Sequence, residues 1–426
     1  MRLYLLNLLL CILLAGCTGS AAAYSVPPQE APQVQASPGA GLPLPSAGPA
    51  KTEAPALPVP PTQTPAAATS ATAAPTATDA STATASPVVY AYGPANFPAH
   101  INPLTGQPVA DPGLLERRPV AIKVTHFPRS VRPQWGLSLA DHVYEYLIGD
   151  HMTRFIGIYY GTDASQVGPV RSARLFDEQV LRMYKSILVF GWADDRIAER
   201  LMQPDIRSRL VIERAGNCPP VCRLEVGHGY NNLFADTRLL TDYIRDRGTN
   251  DDRQNLDGLR FEMEVPRSGS PGGTVAIQFT NVSYHLWQYD AGSGQYLRSQ
   301  EVEDDRGQEK RYTPLTDSLT GKQLAADNIL VLRTPHEIFY QSTSTTILDQ
   351  PFSGAGSGYA FRDGQIYPVT WTRAASDRLP SLSLPNGRPY PLKPGNVWFE
   401  ILGETSTLTP QGEGAWGFDL HVGAVR

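Results

Sequence analysis

The sequence predicts an α/β N-terminal domain with a mixed sheet, followed by a β-rich C-terminal domain, both behind a disordered N-terminal tether. Three observations support this fold class: strand and helix patterns alternate in the first half of the globular region, strand patterns alone fill the second half, and Ala, Pro, Thr and Ser dominate the leader. The 426 residues include 36 Lys or Arg and 41 Asp or Glu, so the formal net charge is −5. That charge differs from the strongly basic profile of a dedicated nucleic-acid binder, and no nucleic-acid partner is expected.

Residues 1–17 have the pattern of a bacterial signal peptide. Met1-Arg2 is positively charged, and Leu3 to Leu14 is apolar except for Asn7. A run of about twelve residues is too short to cross roughly 30 Å of hydrocarbon as a helix, but it suits the core of a signal peptide. The run ends in Leu-Ala-Gly-Cys at 14–17, which resembles the lipobox of bacterial lipoproteins. The resemblance implies lipidation of Cys17 and attachment to the membrane; an ordinary secretory signal with a chance cysteine is the alternative.

Residues 18–97 are predicted to be a disordered tether. Between Ala21 and Tyr90, 49 of 70 residues are Ala, Pro, Thr or Ser, and only four are charged. Such a segment cannot bury enough apolar surface to offset the entropy lost on ordering, and its prolines interrupt any alanine helix. Its reach is about 50 Å as a flexible coil and about 250 Å as extended polyproline. A plain spacer and an O-glycosylated stalk both fit this composition.

The remaining 329 residues are enough for two domains of about 150 residues each. A boundary is predicted in the Gly- and Ser-rich stretch 267–273. We therefore expect an α/β domain at residues 98–266 and a β-rich domain at residues 274–426.

The alternation of strand and helix patterns in the first domain favours an at least partly parallel sheet. The most regular helix pattern has Phe176, Val180 and Tyr184 at every fourth position, with Ser172 as a candidate N-cap. The predicted helices are residues 172–185, 195–202 and 237–247. The predicted strands are residues 119–124, 142–148, 154–160 and 187–190.

In the second domain, segments that alternate in polarity or are rich in β-branched residues follow one another, and no helical pattern follows Gly258. Asp363-Gly364 is a hairpin-turn signal between two of these segments. The predicted strands are residues 275–280, 284–289, 295–298, 329–333, 337–341, 358–362, 365–372 and 396–402.

Two cysteines lie in the globular region, Cys218 and Cys222. Outside the cytoplasm such a pair is typical of a small structural disulfide. A redox or zinc site would need a closer Cys-x-x-Cys spacing or further ligands. The sequence also lacks nucleophile-elbow, zinc-protease and P-loop motifs, so neither a metal nor a cofactor is predicted.

The densest polar motif is the stretch from Gly168 to Arg174, just before the most regular helix. Amide groups at a helix start favour anions, and Arg171 and Arg174 offer forked donors for a phosphate or a carboxylate. Arg154, on the preceding strand, and Ser172 are further candidates for this anion site, and Arg117 and Arg118 could converge on it as well. The alternative is that these arginines form structural ion pairs with acidic residues of the same domain.

Asp141 and Glu145 are additional candidates because residues four apart share a face in extended backbone. A carboxylate pair can serve acid–base chemistry or bind a hard cation, although solvated or salt-bridged carboxylates are the alternative. His228 and Asn231 lie in a predicted glycine-containing loop at 227–232, where a ligand can approach the backbone closely. A loop histidine without a functional role is the alternative there.

Several different short motifs follow one another along residues 102–174 and together resemble a known family. They are Asn-Pro-Leu-Thr-Gly at 102–106, Arg-Pro-Val-Ala at 118–121, Arg-Pro-Gln at 132–134, Ala-Asp at 140–141, Val-Tyr-Glu at 143–145, Thr-Arg-Phe at 153–155 and Gly-Pro-Val-Arg-Ser-Ala-Arg at 168–174. This set resembles the YerB-like family of bacterial lipoproteins, as do Asp327-Asn328 and the stretch 363–371. The resemblance implies two domains of unknown biochemical function and supplies no catalytic residues. Thr125-His126 and Asp150-His151 stand where the family tends to have Asp-Asn and Gly-Gly.

These features favour a lipid-anchored protein on the extracytoplasmic face of the bacterial membrane. Its folded part is expected to bind a cell-wall polymer or an envelope protein without catalysis. Two alternatives stay open: an enzyme that acts on an anionic glycan or phosphate ester through an arginine and carboxylate site, and a solute-binding lipoprotein.

Overall fold

The computed structural model describes residues 91–422, apart from the side chains of Gly227 and His228. The predicted signal peptide, Cys17 and the tether as far as Tyr90 lie outside these residues. Residues 91–97, which the sequence assigns to the end of the tether, are described, and Ala91–Tyr92 forms the first strand. None of the helices in the described part of the chain has the length and apolarity that a membrane crossing requires.

The first half of the described chain combines helices and strands. The helices are α1 (Leu175–Met183), α2 (Asp195–Leu201) and α3 (Thr237–Asp246). The strands are β1 (Ala91–Tyr92), β2 (Val120–Thr125), β3 (His142–Gly149), β4 (Met152–Tyr159), β5 (Ile187–Phe190), β6 (Leu210–Ile212), β7 (Val221–His228), β8 (Asn231–Ala235) and β9 (Arg260–Glu262). Short 3-10 helices lie at Pro112–Glu116, Arg129–Val131, Leu137–Leu139 and Arg207–Arg209.

The second half is built from strands. They are β10 (Ser270–Pro271), β11 (Thr274–Gln278), β12 (Tyr284–Asp290), β13 (Gln295–Glu301), β14 (Tyr312–Pro314), β15 (Ala325–Ala326), β16 (Asn328–Thr334), β17 (Glu337–Gln341), β18 (Thr346–Asp349), β19 (Gly354–Arg362), β20 (Gln365–Arg373), β21 (Ser381–Ser383), β22 (Pro391–Leu392), β23 (Val397–Gly403), β24 (Thr407–Gly412) and β25 (Ala415–Asp419). The predicted fold class, α/β with a mixed sheet and then β-rich, is confirmed.

One large sheet contains strands from both halves of the sequence. Its eleven strands follow the order β10-β20-β19-β16-β23-β3-β4-β2-β5-β6, with β21 paired to β20. The join is the parallel pairing of β23 with β3, which sets Glu400 opposite Glu145. A second sheet of seven strands has the order β14-β13-β12-β11-β25-β24, with β15 paired to β13.

The large sheet buries both of its faces. On one face, Tyr144 and Tyr146 of β3 pack against Phe176 of α1. On the other face, Val143 belongs to the same apolar cluster as Trp287 of the seven-stranded sheet. Because successive side chains of a strand point to opposite faces, β3 sends Tyr146 toward the helix and Glu145 toward the second sheet.

Two local predictions differ from the structure. Helix α1 begins at Leu175 rather than at residue 172, with Arg174 at the N-cap position. Residues 171–173 stay extended because the N–H of Arg171 donates to the carbonyl of Lys123 at 3.0 Å and the N–H of Ala173 to that of Trp192 at 2.8 Å. The stretch 227–232, predicted as a loop, is the turn region of the β7–β8 hairpin.

Candidate anion-binding site

Three arginines meet where the segment before α1 crosses the sheet next to β4. Arg154 lies in β4, and its guanidinium Nη1 donates to the carbonyl of Ser172 at 2.6 Å. This bond sets the Arg154 side chain beside Arg171 and Arg174, whose charges both act on it. We call Arg154, Arg171 and Arg174 the arginine cluster. The structure thus brings together four of the residues that the sequence suggested for an anion site, including Ser172. Arg117 and Arg118 have other partners: Arg117 pairs with Asp163 at 2.7 Å, and Arg118 Nε donates to the carbonyl of Asn250 at 2.6 Å.

The guanidinium groups of the arginine cluster lie close together without a direct ion pair to a carboxylate of the described residues, although Asp177, Asp150 and Asp194 act on Arg174 at longer range. Burial, and then the charges of Arg174 and Arg171, lower the pKa of Arg154 to about 9. None of the three guanidinium groups forms an ion pair with an Asp or Glu among residues 91–422, and the buried Nε of Arg171 has no hydrogen-bond partner there. All three side chains are partly exposed. A phosphate or carboxylate would therefore meet forked donors and relieve the repulsion between them.

A buried trio of Lys123, Tyr146 and Asp177 supports the arginine cluster from within the domain. Lys123 Nζ lies 3.1 Å from Asp177 Oδ1, and the Tyr146 hydroxyl hydrogen-bonds to both. The other oxygen, Asp177 Oδ2, accepts from the N–H of Arg174 at 2.7 Å and so fixes the start of α1. Burial lowers the pKa of Lys123 to about 7, against the opposing charge of Asp177. Sequence reasoning missed this trio, although a lysine inside the apolar strand β2 is a signal for it.

Asp141 does not join the arginine cluster. Its Oδ1 accepts from Asn102 Nδ2 at 2.8 Å, and its Oδ2 accepts from the N–H groups of Tyr160 and Gly161 at 2.6 and 3.0 Å. Burial raises its pKa to about 6, against these hydrogen bonds. Asp141 therefore ties the start of β3 to the end of β4 and to the 102–106 motif.

Glu145 points to the opposite face of the large sheet, away from Lys123 and α1. Its Oε1 accepts from the Thr153 hydroxyl at 2.6 Å, and its Oε2 accepts from Arg298 at 2.6 Å. Asp141 and Glu145 therefore have separate partners and do not act as a pair.

Glu145 belongs to a fully buried inter-sheet cluster with His285, Arg298 and Glu400. Glu400 Oε1 accepts from His285 Nε2 and from Trp287 Nε1, both at 3.0 Å. Burial raises the pKa of Glu400 to about 7, against the charge of Arg298. Glu145, His285 and Glu400 each offer one metal-ligand atom, and these atoms lie within 4.8 Å of one another. A cation there would have to displace the Arg298 guanidinium, which already lies within ion-pair distance of both carboxylates.

The β7–β8 hairpin adjoins the arginine cluster and contains the other sequence candidates. The N–H of Val170 donates to the carbonyl of Leu233 in β8 at 2.7 Å. Asn231 is buried at the start of β8, and His228 ends β7 with its side chain outside the described residues. The chain enters this hairpin through a disulfide between Cys218 and Cys222.

The fold and site together define a two-part, mixed-sheet protein with a partly exposed cationic site. Family models for the N-terminal and C-terminal domains of a protein of unknown function (DUF3048) match residues 104–250 and 275–399. The chain belongs to this YerB-like two-domain family of unknown function, as the sequence motifs predicted.

Two comparisons with individual proteins agree with the family models. The chain is 27% identical over 324 residues to "Putative lipoprotein YerB" of Bacillus subtilis (strain 168). The aligned region covers 73% of this chain and 89% of that protein. The crystal structure of YerB from Bacillus subtilis is similar with a TM-score of 0.59 and 25% identity, covering 71% of this chain and 96% of that one.

Proposed function

We propose that this protein is a lipid-anchored, extracytoplasmic binding module whose arginine cluster holds an anionic group of a cell-envelope component. The observation that carries the proposal is the convergence of Arg154, Arg171 and Arg174 without a carboxylate partner among the described residues. The buried Arg298, in contrast, is ion-paired with Glu145. Concentrated positive charge that no direct ion pair offsets favours an anionic ligand.

An envelope location is supported by two independent points. Residues 14–17 resemble a lipobox that ends at Cys17, and the Bacillus subtilis relative has the name "Putative lipoprotein YerB". Cell fractionation combined with labelling by a fatty-acid analogue tests the anchor. We expect the wild-type chain to be labelled and membrane-bound, and Cys17→Ser to lose both properties. A Cys17→Ser variant that is still labelled or fully membrane-bound would overturn the proposed lipid anchor.

The two alternative functions have weaker support. Asp177, which contacts the backbone of Arg174, already accepts from Lys123, Tyr146 and the N–H of Arg174, so it is poorly placed to act as a general base. A hinged solute-binding protein closes two lobes around its ligand. Here such closure would have to disturb the pairing of β3 with β23 in a shared sheet.

A thermal-shift panel on the full chain in detergent tests anion binding. The probes are phosphate, pyrophosphate and acetate at constant ionic strength. A ligand at a hundred times its dissociation constant stabilises the folded state by about 2.7 kcal/mol. We expect at least one probe to raise the melting temperature of the wild type and to have no effect on Arg171→Ala, whose guanidinium makes no hydrogen bond in the described structure.

The matched control is Arg388→Ala, which removes an equal charge from an exposed position on a different part of the surface. Its response to the probes should equal that of the wild type. The proposal fails if no probe shifts the wild type, or if Arg171→Ala and Arg388→Ala respond alike.

A further inference from the structure

An exposed tryptophan lies directly beside the arginine cluster. Trp192 follows the end of β5 two residues after Phe190, and its side chain is 59% exposed. The carbonyl of Trp192 accepts from the N–H of Ala173 at 2.8 Å, and the N–H of Gly191 donates to the carbonyl of Arg171 at 3.0 Å. These two hydrogen bonds fix the backbone of Trp192 next to that of Arg171 while the indole stays open to solvent.

We infer that Trp192 and the arginine cluster form one site for an acidic sugar, an inference that rests on the proposed anion-binding function. The flat, apolar face of an indole packs against the C–H face of a pyranose ring, while its N–H stays available to a hydroxyl group. The guanidinium groups then hold the phosphate or carboxylate of the same sugar. One aromatic ring beside one cationic centre matches a ligand with an apolar face and a single charged substituent.

Arg171 is the residue that connects the two parts of this site. Its backbone contacts Gly191, and its guanidinium is half-buried with an unpartnered Nε. Arg223, the other cation that acts on Arg171, is already engaged by Glu213, with Nε–Oε1 at 2.6 Å, and by Asn232 at 2.7 Å. Arg171 therefore brings guanidinium donors that no other described residue engages to the segment that adjoins Trp192.

A membrane surface is the competing ligand, because indoles also favour lipid headgroups. Adsorption to an anionic bilayer is favoured by clusters of exposed basic residues that outweigh the acidic ones. This chain has a net charge of −5, and the arginines of the cluster are only partly exposed. Both facts favour a small charged group that enters the cluster over a flat anionic surface.

Calorimetric titration of the full chain in detergent tests the inference. The first pair of probes is N-acetylglucosamine 1-phosphate and inorganic phosphate; glucuronate and acetate form the second pair. In at least one pair we expect the sugar to bind about tenfold more tightly than the bare anion, a difference of about 1.4 kcal/mol. Trp192→Ala should abolish this preference while the bare anion binds as before, and Arg171→Ala should weaken both ligands.

Phe339→Ala is the matched control, because it removes another aromatic side chain that is 48% exposed. It should leave the sugar preference intact. Equal binding of sugar and bare anion in both pairs, or a preference that survives Trp192→Ala, would overturn the inference while leaving anion binding standing. If no probe binds at all, the proposed function fails as well. Binding of Cys17→Ser to phosphatidylglycerol vesicles that is lost in Trp192→Ala would replace the sugar with a membrane.

Discussion

Arg298 of β13 and Glu145 of β3 form a fully buried ion pair, with 2.6 Å between Arg298 Nη2 and Glu145 Oε2. The same guanidinium lies 3.4 Å from Glu400 Oε1 through its Nη1 atom. Glu145 and Glu400 are directly opposite each other on paired strands, so their like charges need a common cation. Arg298 supplies it from the second sheet. One positive charge therefore lies between two carboxylates where the two sheets pack together.

Removal of this charge should destabilise the protein strongly. Arg298→Leu leaves two buried carboxylates without a cation, and loss of one partner of a buried pair costs about 3–5 kcal/mol. Urea unfolding of wild type and variant measures the difference. Arg311→Leu is the control, because its ion pair with Glu303 lies on the surface and should contribute little. Similar losses in the two variants would show that Arg298 is not the common cation of this cluster.

The pH dependence of stability should show a contribution from Glu400. Its pKa is about 7 in the folded protein and 4.5 ordinarily, because its carboxyl is buried. The folded state thus holds this proton more tightly than the unfolded state. The contribution of Glu400 to the free energy of unfolding therefore falls as pH rises from about 4.5 to about 7 and is level above that range.

Glu400→Gln tests this contribution because glutamine keeps an acceptor oxygen for His285 and Trp287. The unfolding free energy of the variant relative to wild type should rise by about 3 kcal/mol between pH 4.5 and 7. Urea unfolding at a series of pH values measures this difference. Parallel curves for the two proteins would mean that Glu400 does not titrate in this range.

Local patterns in the sequence predicted the three α-helices and twelve of the twenty-five strands of residues 91–422, but not how the two halves combine. The pattern of β23 marks it as a buried strand, yet nothing local indicates that it pairs with β3, some 250 residues earlier. Likewise, Lys123 and Glu400 interrupt apolar strands, which signals a buried charge without identifying its partner. The arginine cluster was easier to predict because Arg171 and Arg174 belong to one short motif. Its relation to Trp192 depends on strand packing, which spacing alone does not reveal.

Replacing Asp177 alone should destabilise the protein, whereas replacing Lys123 and Asp177 together should restore most of the lost stability. Asp177→Asn leaves Lys123 buried beside the charges of Arg154 and Arg174, and we expect a loss of about 3 kcal/mol in unfolding free energy. In Asp177→Asn with Lys123→Met, both charges are gone and most of that stability should return. Urea unfolding of the four proteins in this double-mutant cycle gives the coupling energy.

Glu178→Gln is the matched control on the same helix, because Glu178 forms ion pairs with Arg182 and Arg200 nearer the surface. The loss of unfolding free energy in Glu178→Gln should be smaller than in Asp177→Asn, and adding Lys123→Met should not change it. A double variant no more stable than Asp177→Asn would mean that the pair holds α1 through geometry rather than through charge balance.

The disulfide between Cys218 and Cys222 should stabilise the protein modestly and act on the β7–β8 hairpin. It closes a short loop, for which the chain-entropy model gives about 2 kcal/mol. Cys218→Ser with Cys222→Ser should lose this amount, and wild type under reducing conditions should match the variant. A large loss of unfolding free energy in the serine variant without a corresponding loss in the reduced wild type would assign the effect to side-chain packing.

Hydrogen exchange of one amide reports on the hairpin itself. The N–H of Val170 donates to the carbonyl of Leu233 in the hairpin, so its exchange should accelerate if the hairpin opens locally. An unchanged Val170 amide in both the serine variant and the reduced wild type would mean that β8 is held against the arginine segment independently of the disulfide.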